Sequence, residues 1–599
     1  MPLPVQDLHQ RDDSGPYIVE TNVTVPLSTS KPSTPDDPCI IRVNVYSPKH
    51  SRPCPVLVTY GPYGKDIYYG NFHEKSFSEV NPGHKSAHSA WETPDPAFWT
   101  AHDYVVVRAD ERGCGQSPGR LDTMSSSTTD AFFDLIEWCA VQSWSSGKVG
   151  LLGISYYAGS QWRVAARRPK GLAAIVPWEG MSDYYRDRVR HGGILSNNFI
   201  KWWWDRQVVS NQYGLAGRAA RNWGPDTIEG SLSAKELEQS RADQTHDTAK
   251  YKYLDEDYYV TRQFKLEDIT VPLLSVANWG GILLHLRGNI LGFIKAGSEF
   301  KYLRCITGRH DLPFYYKDEV DVQLSFLNAF LKGEDDKGWS VPGKVPPVSL
   351  CLRKGDPGYN NAAAELAAFP RRDEPEWPIQ GTVYTDFHLT AVQNKMLRHK
   401  APSGVTVYSY NAPSGEISFR TLPFPEEVEI TGHPMARLTV SLSKLPEAKT
   451  VPSEIDLFLT IRHFHASGKE IFYTGTTGEP IPVVKGWLRV SLRRCNTDSP
   501  DHKPEYLPWR EYRSTDVQPI ELDTPHTVDV EIWPTNVVVS PGSYLELQIA
   551  SCDTSGSGLF THTHEEDRAP GKLTGLNNIH LGGDFENFLR LPFVPTRRA

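Results

Sequence analysis

The sequence lacks long apolar runs, and its first twenty residues are polar and acidic. No run approaches the ~20 apolar residues that a membrane-spanning helix needs, and no apolar segment suggests a secretory signal. The eight cysteines lie far apart, without a CxxC pair or a Cys/His spacing typical of zinc sites. We therefore expect a cytoplasmic protein with reduced thiols, without a metal or cofactor and without a membrane partner.

An excess of positive charge is also missing. Lys and Arg number 63 and Asp and Glu 72, which leaves a net charge of −9 without long runs of one sign. This balance argues against nucleic-acid binding, which needs a basic face. At 39% hydrophobic and 23% charged residues, the 599-residue chain can form several buried cores. The expected partner is a small molecule, and a homo-oligomer is possible.

The N-terminal half alternates strand-like and helical patterns. A helical pattern covers Thr129–Gln142, and the stretch from Tyr184 to Asp268 is helical in pattern and rich in Arg, Asp, Trp and Tyr. Alternating strands and helices predict an open parallel sheet, into which the second stretch is inserted as a cap. The predicted strands are Arg42–Tyr46, Val56–Tyr60, Tyr104–Arg108, Val149–Ile154, Ala173–Pro177, Val271–Ala277 and Tyr302–Thr307.

The C-terminal part, beyond the Gly/Pro/Asp-rich residues that follow Lys332, shows strand patterns separated by turn-forming clusters. Many strands without helices favour a sandwich or jelly roll. We predict an α/β-hydrolase core in residues 1–184 and 269–335, a helical cap in 185–268, and an all-β jelly-roll domain in 336–599. The predicted strands of this last domain are Val405–Tyr410, Ala436–Ser443, Ile455–His463, Trp487–Leu492, Val528–Trp533 and Tyr544–Ala550.

The strongest chemical signal is the segment Gly153-Ile-Ser155-Tyr-Tyr-Ala158-Gly159. It follows the apolar strand KVGLL and precedes a helix-like stretch, which is the setting of the G-x-S-x-G nucleophile elbow. The second glycine comes two positions late, so Ala158 is the second small neighbour. Ser155 is therefore the predicted nucleophile.

A serine nucleophile needs a base that follows it in the chain. His310 comes just after the strand Tyr302–Thr307, where an imidazole can reach Ser155; otherwise it is an ordinary surface histidine. His285 lies in a helical pattern, GILLHLRGN, and we expect it to be structural.

Motifs along residues 20–595 resemble the CocE/NonD family of serine hydrolases, which includes esterases, acylases and X-Pro dipeptidyl-peptidases. The resemblance implies an α/β-hydrolase core, a helical cap and a C-terminal jelly roll. The matching segments begin at Tyr60 (YGPYGK), Asp110 (DERGCGQS), Trp144 (WSSGKVGLLGISY), Phe326 (FLNAFLKG), Lys485 (KGWLR), Glu531 (EIWP) and His580 (HLGG).

The resemblance also implies roles for individual residues. Ser155 matches the nucleophile and His310 the general base. Tyr63 matches a tyrosine whose hydroxyl stabilises the oxyanion together with the backbone N–H of Tyr156. Without the resemblance, Tyr63 would be read as an aromatic packed in a turn.

One family residue is missing. The family carries its catalytic acid in a G-W-x-D turn, whereas this chain reads Asn278-Trp279-Gly280-Gly281. Glu179, just after the preceding strand, is our first choice for the displaced acid because adjacent strand ends open on one edge of the sheet. Asp183 is the second choice, although an ion pair with Arg186 would also explain it.

Three functions follow from these residues. The first is a serine hydrolase that cleaves an ester or amide through an acyl-enzyme on Ser155. The second is an acyltransferase or cyclase on the same triad, and the third is a binding protein with a weakened triad, which only Gly281 supports.

The tryptophans Trp202, Trp203 and Trp204 in the cap point in different directions on a helix, so at most two can line a pocket, where they would favour a bulky, flat acyl group.

Overall fold

A large, mostly parallel sheet forms the centre of the N-terminal half. The structure is a computed structural model, and it describes residues 5–33, 37–226, 233, 235, 238, 241–400 and 404–595. In spatial order, the strands from Val105–Asp110 to Val348–Cys351 pair with one another in parallel, and antiparallel strands flank this block on both sides. In spatial order the strands are Gln10–Asp12, Ile18–Pro26, Ile40–Ser47, Val105–Asp110, Cys54–Gly61, Ser145–Ile154, Leu172–Trp178, Leu273–Asn278, Lys301–Ile306, Val348–Cys351 and Arg371–Glu374.

Buried apolar side chains cover both faces of this sheet. Successive strand residues point to opposite faces, so Leu57 and Leu152 join one core while Val58 and Leu151 join the other. This explains why the strands read as continuous apolar runs. The helices around the sheet are Tyr69–Phe72, Glu74–Glu79, Pro96–Ala101, Ser126–Ala140, Tyr156–Ala165, Leu286–Lys295 and Lys317–Leu327, the last continued by a π-helical turn at Asn328–Lys332.

The cap between the strands Leu172–Trp178 and Leu273–Asn278 consists of short helical pieces and one small hairpin, Arg190–His191 with Ile194–Leu195. Part of the predicted cap, residues 227–232 and several residues from 234 to 240, lies outside the described residues. The helical pieces are Tyr184–Val189, Asn197–Trp203, Trp204–Val208, Val209–Asn211, Ala219–Arg221, Gln244–Lys250, Asp257–Val260 and Leu266–Asp268.

The C-terminal part is almost entirely β-structure, as predicted. Its fourteen-stranded network is antiparallel apart from one pair, and a hairpin of Tyr473–Thr474 and Pro480–Ile481 lies beside it. Its strands are Val383–Thr390, Lys395–Leu397, Thr406–Ala412, Glu416–Thr421, Val428–Gly432, Met435–Ser443, Asp456–Phe464, Glu470–Ile471, Val484–Arg489, His526–Glu531, Thr535–Val539, Tyr544–Ala550, Gly575–Leu581 and Phe588–Val594.

The two halves share one hydrophobic core. Trp279, Ile282 and Leu283 of the α/β half pack in the same cluster as Leu457 and Trp487 of the β-domain. The domain boundary at residue 335 stays a prediction, and two strands beyond it, Val348–Cys351 and Arg371–Glu374, extend the first sheet. Across the described ranges, every helix is too short or too polar to cross a membrane.

Candidate active site

Ser155 lies at a sharp turn between the strand Ser145–Ile154 and the helix Tyr156–Ala165. Its φ is +61° and its ψ −115°, a conformation that non-glycine residues rarely adopt. The Ser155 N–H donates to the carbonyls of Trp178 and Glu179, each at 3.1 Å, which fixes the turn against the neighbouring strand end. The side chain is therefore placed at the carboxyl edge of the sheet, as the sequence predicts.

Small residues permit this turn. A Cβ at Gly153 would lie 2.7 Å from the Cβ of Tyr157, and a Cβ at Gly180 would lie 2.4 Å from that of Ala158. Both distances are shorter than carbon atoms tolerate. The close contact at Ala158 supports its predicted role as the second small neighbour of the elbow.

Two further non-glycine residues near Ser155 have left-handed backbones: φ is +60° at Glu92 and +46° at Glu179. Such conformations cost ~1–3 kcal/mol each and collect at active sites. The carbonyl of Glu92 accepts the N–H of Ile154 at 3.1 Å, so the Glu92 loop is tied directly to the strand that carries the nucleophile.

His310 lies between two glutamates. Its Nδ1 is 2.9 Å from Glu179 Oε2, and its Nε2 is 3.1 Å from Glu92 Oε1. Its backbone N–H donates to the carbonyl of Thr476, so a loop of the β-domain helps to hold it. The contact predicted between Glu179 and His310 is present, within the expected distance, and the catalytic role of Glu179 stays a prediction.

Glu179 is fully buried and its carboxylate has a second partner. Asn278, at the end of the next strand, donates its Nδ2–H to Glu179 Oε1 at 3.1 Å. Burial raises the pKa of Glu179, and the charge of His310 opposes that shift. Two hydrogen bonds thus orient the carboxylate towards the imidazole.

Asp183, the second choice for the acid, does not contact His310. Its Oδ2 pairs with Arg186 Nη1 at 2.5 Å, and its Oδ1 accepts the backbone N–H of Arg186. Although burial opposes it, the charge of Arg186 lowers the pKa of this carboxyl. Asp183 therefore stabilises the start of a helical turn and forms the ion pair that the sequence analysis offered as the alternative.

Glu92 was not identified from the sequence. It is one of 72 acidic residues and lies in a loop without helix or strand periodicity, so no local signal marks it. It is buried, its Oε2 has no hydrogen-bond partner among the described residues, and burial raises its pKa to about 7. This carboxylate faces the same imidazole nitrogen that would accept the proton of Ser155.

The two carboxylates change the acid–base properties of His310. Burial alone would lower the pKa of the imidazole, but the charges and hydrogen bonds of Glu179 and Glu92 raise it to about 10. At neutral pH His310 is therefore an imidazolium, which cannot accept a proton. It becomes a base only when Nε2 loses its proton, and departure of Glu92 favours that loss because a neighbouring negative charge is removed.

The hydroxyl of Ser155 hydrogen-bonds to His285 instead. Its Oγ is 3.2 Å from His285 Nε2, and the rings of His285 and His310 stack with centroids 5.2 Å apart at 15°. His285 does not lie inside a helix, as its pattern suggested: it is the residue just before the helix Leu286–Lys295, and its ring reaches Ser155. The expectation that it is structural stays a prediction. The helical period of GILLHLRGN extends beyond the observed helix, which begins only at Leu286.

Tyr63 lines the same cavity as Ser155, and the helix Tyr156–Ala165 begins directly after the serine. Tyr63 is buried, and its Oη accepts the indole N–H of Trp203 at 3.0 Å, which leaves its own proton free to donate. Burial, followed by the charge of Glu92, raises its pKa well above the ordinary value, so it stays a phenol. Tyr156 is the first helical residue, where backbone N–H groups lack partners within the helix.

A cavity of about 260 Å³ opens onto these groups. Trp202 and Trp203 line it, but Trp204 is not among its lining residues, in agreement with the expectation of at most two. Phe199 from the cap stacks on Phe560 from the β-domain with centroids 4.4 Å apart, so both parts close the cavity. The wall also contains Trp91, Leu284, Leu559 and the catalytic candidates Tyr63, Glu92, Ser155 and His310.

A metal-like cluster occurs elsewhere. In the part of the chain that the structure describes, His50, Cys54 and Asp103 hold potential ligand atoms within 4.8 Å of one another. They lie at the opposite, N-terminal edge of the parallel strands. Asp103 already pairs with Arg52 at 2.6 Å and with His50 at 2.8 Å, so local ion pairs explain the cluster.

Two family models match the chain. Residues 37–293 match the X-Pro dipeptidyl-peptidase (S15) family, and residues 341–590 match the X-Pro dipeptidyl-peptidase C-terminal non-catalytic domain. The first match contains Ser155, Glu179, Glu92 and Tyr63, and His310 lies beyond its end.

Individual relatives agree with these matches. Cocaine esterase from Rhodococcus sp. (strain MB1 Bresler) is 23% identical over 97% of this chain and 99% of its own. The crystal structure of a CocE/NonD family hydrolase from Staphylococcus aureus has a TM-score of 0.79 at 26% identity, over 97% of this chain and 94% of its own. An aminopeptidase from the marine sediment archaeon Thaumarchaeota archaeon shares the fold, with a TM-score of 0.64 at 13% identity over 99% of both chains.

Proposed function

Because the chain belongs to the CocE/NonD-type serine hydrolases of the X-Pro dipeptidyl-peptidase class, we propose that it cleaves an ester or amide through an acyl-enzyme on Ser155. One observation carries the proposal: the left-handed Ser155 elbow shares a single cavity with His310, whose Nδ1 is held by a buried carboxylate, Glu179. A nucleophile, a base and an orienting acid are what acyl transfer requires.

In the proposed reaction, the His310 imidazolium first loses its Nε2 proton to solvent. The neutral imidazole then exchanges Glu92 for the Ser155 hydroxyl and accepts the hydroxyl proton at Nε2. The Ser155 Oγ–carbon bond forms, and the carbonyl electron pair moves to oxygen. The oxyanion then collapses and expels the alcohol or amine, which takes the proton from His310. Water repeats the sequence on the acyl-enzyme, so that the acid is released and Ser155 regains its proton. Glu179 stabilises the imidazolium in both halves.

Tyr63 and the N–H of Tyr156 are the proposed oxyanion donors. Trp203 occupies the acceptor side of the Tyr63 hydroxyl, so the phenol proton is directed elsewhere. A donor of this kind lowers the barrier by ~3–4 kcal/mol when it is aimed at the developing charge.

The cavity supports a flat, apolar acyl group. Phe199, Trp202 and Phe560 form one part of its wall, and stacking on such rings favours planar substituents. Charged side chains, among them Lys75, Arg309 and Asp311, form another part. The cavity volume of about 260 Å³ suits a single ring with a short linker better than a long chain.

The direct test is labelling with a fluorophosphonate. Ser155→Ala should abolish labelling and leave the free energy of unfolding within ~1 kcal/mol, because one small side chain at the cavity is removed. Labelling that persists in this variant would disprove the role of Ser155. Wild type that resists labelling, yet binds aryl esters without turnover, would favour the weakened binding protein instead.

Acyl transfer to an amine or alcohol is the second candidate, supported by the burial of Ser155, which is only 9% exposed beneath the cap and the β-domain loop. Exclusion of water favours another acceptor. Mass spectrometry of products from aryl esters, with graded amounts of an added amine, separates the two. Free acid at all amine concentrations indicates a hydrolase, and amide as the main product at millimolar amine indicates a transferase.

A further inference from the structure

We propose that His285 is a second catalytic histidine, which donates a hydrogen bond from Nε2 to Ser155 Oγ and does not act as the base. This inference rests on the proposed role of Ser155 as nucleophile. Nothing in the sequence pattern assigns a function to this residue, and its ring touches the atom that would attack.

The direction of the hydrogen bond follows from the other ring nitrogen. The backbone N–H of Met181 points at His285 Nδ1 at 3.1 Å, and a backbone amide can only donate. Nδ1 is therefore the acceptor and carries no proton. A neutral imidazole holds its single proton on the remaining nitrogen, so Nε2 donates to Ser155 Oγ at 3.2 Å.

The surroundings keep His285 neutral. It is 2% exposed, and the positively charged side chains of His310 and Arg188 act on it electrostatically. Burial, followed by the charges of His310 and Arg188, lowers the pKa of His285 well below its ordinary value. A second positive charge beside the stacked His310 ring is thus disfavoured.

The hydrogen bond from His285 fixes the direction of the Ser155 hydroxyl proton. Because one lone pair of Oγ accepts from His285, the Ser155 proton has to point away from that ring. His310 stacks on His285 and lines the same cavity as Ser155, so we assign it as the base that takes this proton once Glu92 moves. His285 also stabilises negative charge on Oγ whenever the Oγ–carbon bond breaks.

Two substitutions separate the two contacts of His285. Glutamine places its amide near the position of Nε2 and can still donate to Ser155, whereas asparagine places its amide near Nδ1 and can still accept from Met181. We expect His285→Asn to lower the fluorophosphonate labelling rate about 10²-fold, as loss of a charge-stabilising donor does, and His285→Gln to lower it less than about tenfold. In aryl ester assays the loss should appear in kcat, with KM little changed.

The opposite order, with Asn more active than Gln, would show that only the Met181 contact matters and would overturn the proposal. A base role would also overturn it: both variants would then lose the pH-dependent limb of the labelling rate, which we expect to keep its midpoint in both. Thermal unfolding of the two variants controls for loss of fold. If the wild-type protein is not labelled, Ser155 is not the nucleophile. The protonation of His285 is then decided by a measurement that does not depend on activity.

The tautomer can be measured without turnover. In protein labelled with ¹⁵N-histidine, the His285 signals, assigned by their loss in His285→Asn, should show a neutral ring protonated at Nε2 from pH 6 to 9. Ser155→Ala should shift the Nε2 signal and leave Nδ1 nearly unchanged. A proton on Nδ1, or a cationic ring at neutral pH, would disprove the proposal whatever the enzyme's activity.

Discussion

Two neighbouring strand ends carry very different residues at the edge of one sheet. Leu172–Trp178 and Leu273–Asn278 run in parallel, with Val276 opposite Trp178. The first ends in Glu179, a fully buried carboxylate in contact with His310. The second is followed by a turn, Trp279-Gly280-Gly281, without an ionisable side chain at the position where the family resemblance implies an acid.

The residues at the second strand end instead hold Glu179 and the His310 loop through hydrogen bonds. Asn278 donates to Glu179 Oε1 and to the carbonyl of Gly308, next to His310, and its Oδ1 accepts the N–H of Gly280. Trp279 packs towards the β-domain and donates to the carbonyl of Cys351 at 2.8 Å. Because parallel strands end at one edge of the sheet, a carboxylate after either of these two strands can be directed towards the same imidazole.

The largest expected effect comes from removing the charge of Glu179, the predicted acid. Glu179→Gln keeps the shape but loses the charge that stabilises the imidazolium, so we expect kcat for an aryl ester to fall about 10²- to 10⁴-fold. Steady-state kinetics and the fluorophosphonate labelling rate both measure it. Asp183→Asn is the matched control, because Asp183 is a nearby carboxylate that pairs with Arg186 and does not contact His310; it should change kcat less than about tenfold.

Returning the acid to the family position tests the comparison itself. Gly281→Asp in the Glu179→Gln background should recover about tenfold or more of the lost rate if both strand ends reach His310. A Cβ at Gly281 would lie 3.2 Å from the carbonyl oxygen of Asn278, so a shift of a few tenths of an ångström accommodates it. No recovery, with a normal unfolding temperature, would show that the two positions are not equivalent.

Much of this arrangement could be predicted from the sequence because it depends on local patterns. The strand Tyr544–Ala550 has its predicted bounds, and Leu172–Trp178 extends the predicted Ala173–Pro177 by one residue at each end. Continuous apolar runs identify doubly covered strands, and a glycine-flanked serine between a strand and a helix identifies the elbow. Glu179 could be proposed because it follows a strand that must end beside Ser155.

The remaining site residues depend on contacts between distant segments. Glu92 lies 218 residues before its partner His310 in a loop without periodicity, and His285 is 130 residues from Ser155. Local sequence patterns do not predict contacts between residues that are so far apart in the chain. The strands Val348–Cys351 and Arg371–Glu374 were also missed, because each has only four residues and joins the sheet at its edge.

A third strand end, after Cys54–Gly61, gives the next largest effect. Tyr63→Phe removes the hydroxyl that we assign to the oxyanion and should lower kcat and kcat/KM together, about 10²- to 10³-fold. Since Tyr63 does not touch His310, the pH midpoint of labelling should not move, in contrast to changes at the carboxylates. A rise in KM alone would reassign Tyr63 to the cavity wall.

Glu92 predicts a pH effect. With both carboxylates present, the pKa of His310 is about 10, so the labelling rate should rise with pH into the alkaline range as the imidazolium loses its proton. Glu92→Gln removes one charge, which lowers that pKa and should shift the rise about one to two pH units towards neutral, so that labelling at pH 7 becomes faster. Glu79→Gln, which affects a carboxylate bound to Arg309, is the control and should leave the midpoint in place. An unmoved midpoint in Glu92→Gln would show that Glu92 does not hold Nε2 in solution.

The smallest expected effect tests whether the acid-free strand end supports Glu179. Asn278→Ala removes the amide that donates to Glu179 Oε1 at 3.1 Å and to the carbonyl of Gly308 at 2.8 Å. The acid itself remains, so kcat should fall only about tenfold, the scale of one supporting hydrogen bond. Loss of this polar contact in a buried site should also lower the free energy of unfolding by ~1–3 kcal/mol.

The same substitution in the Glu179→Gln background tests whether the two residues act together. It should lower kcat much less there, because the carboxylate that Asn278 orients is gone. Equal losses in both backgrounds would mean that Asn278 acts on the fold alone, and that the two strand ends do not cooperate in catalysis.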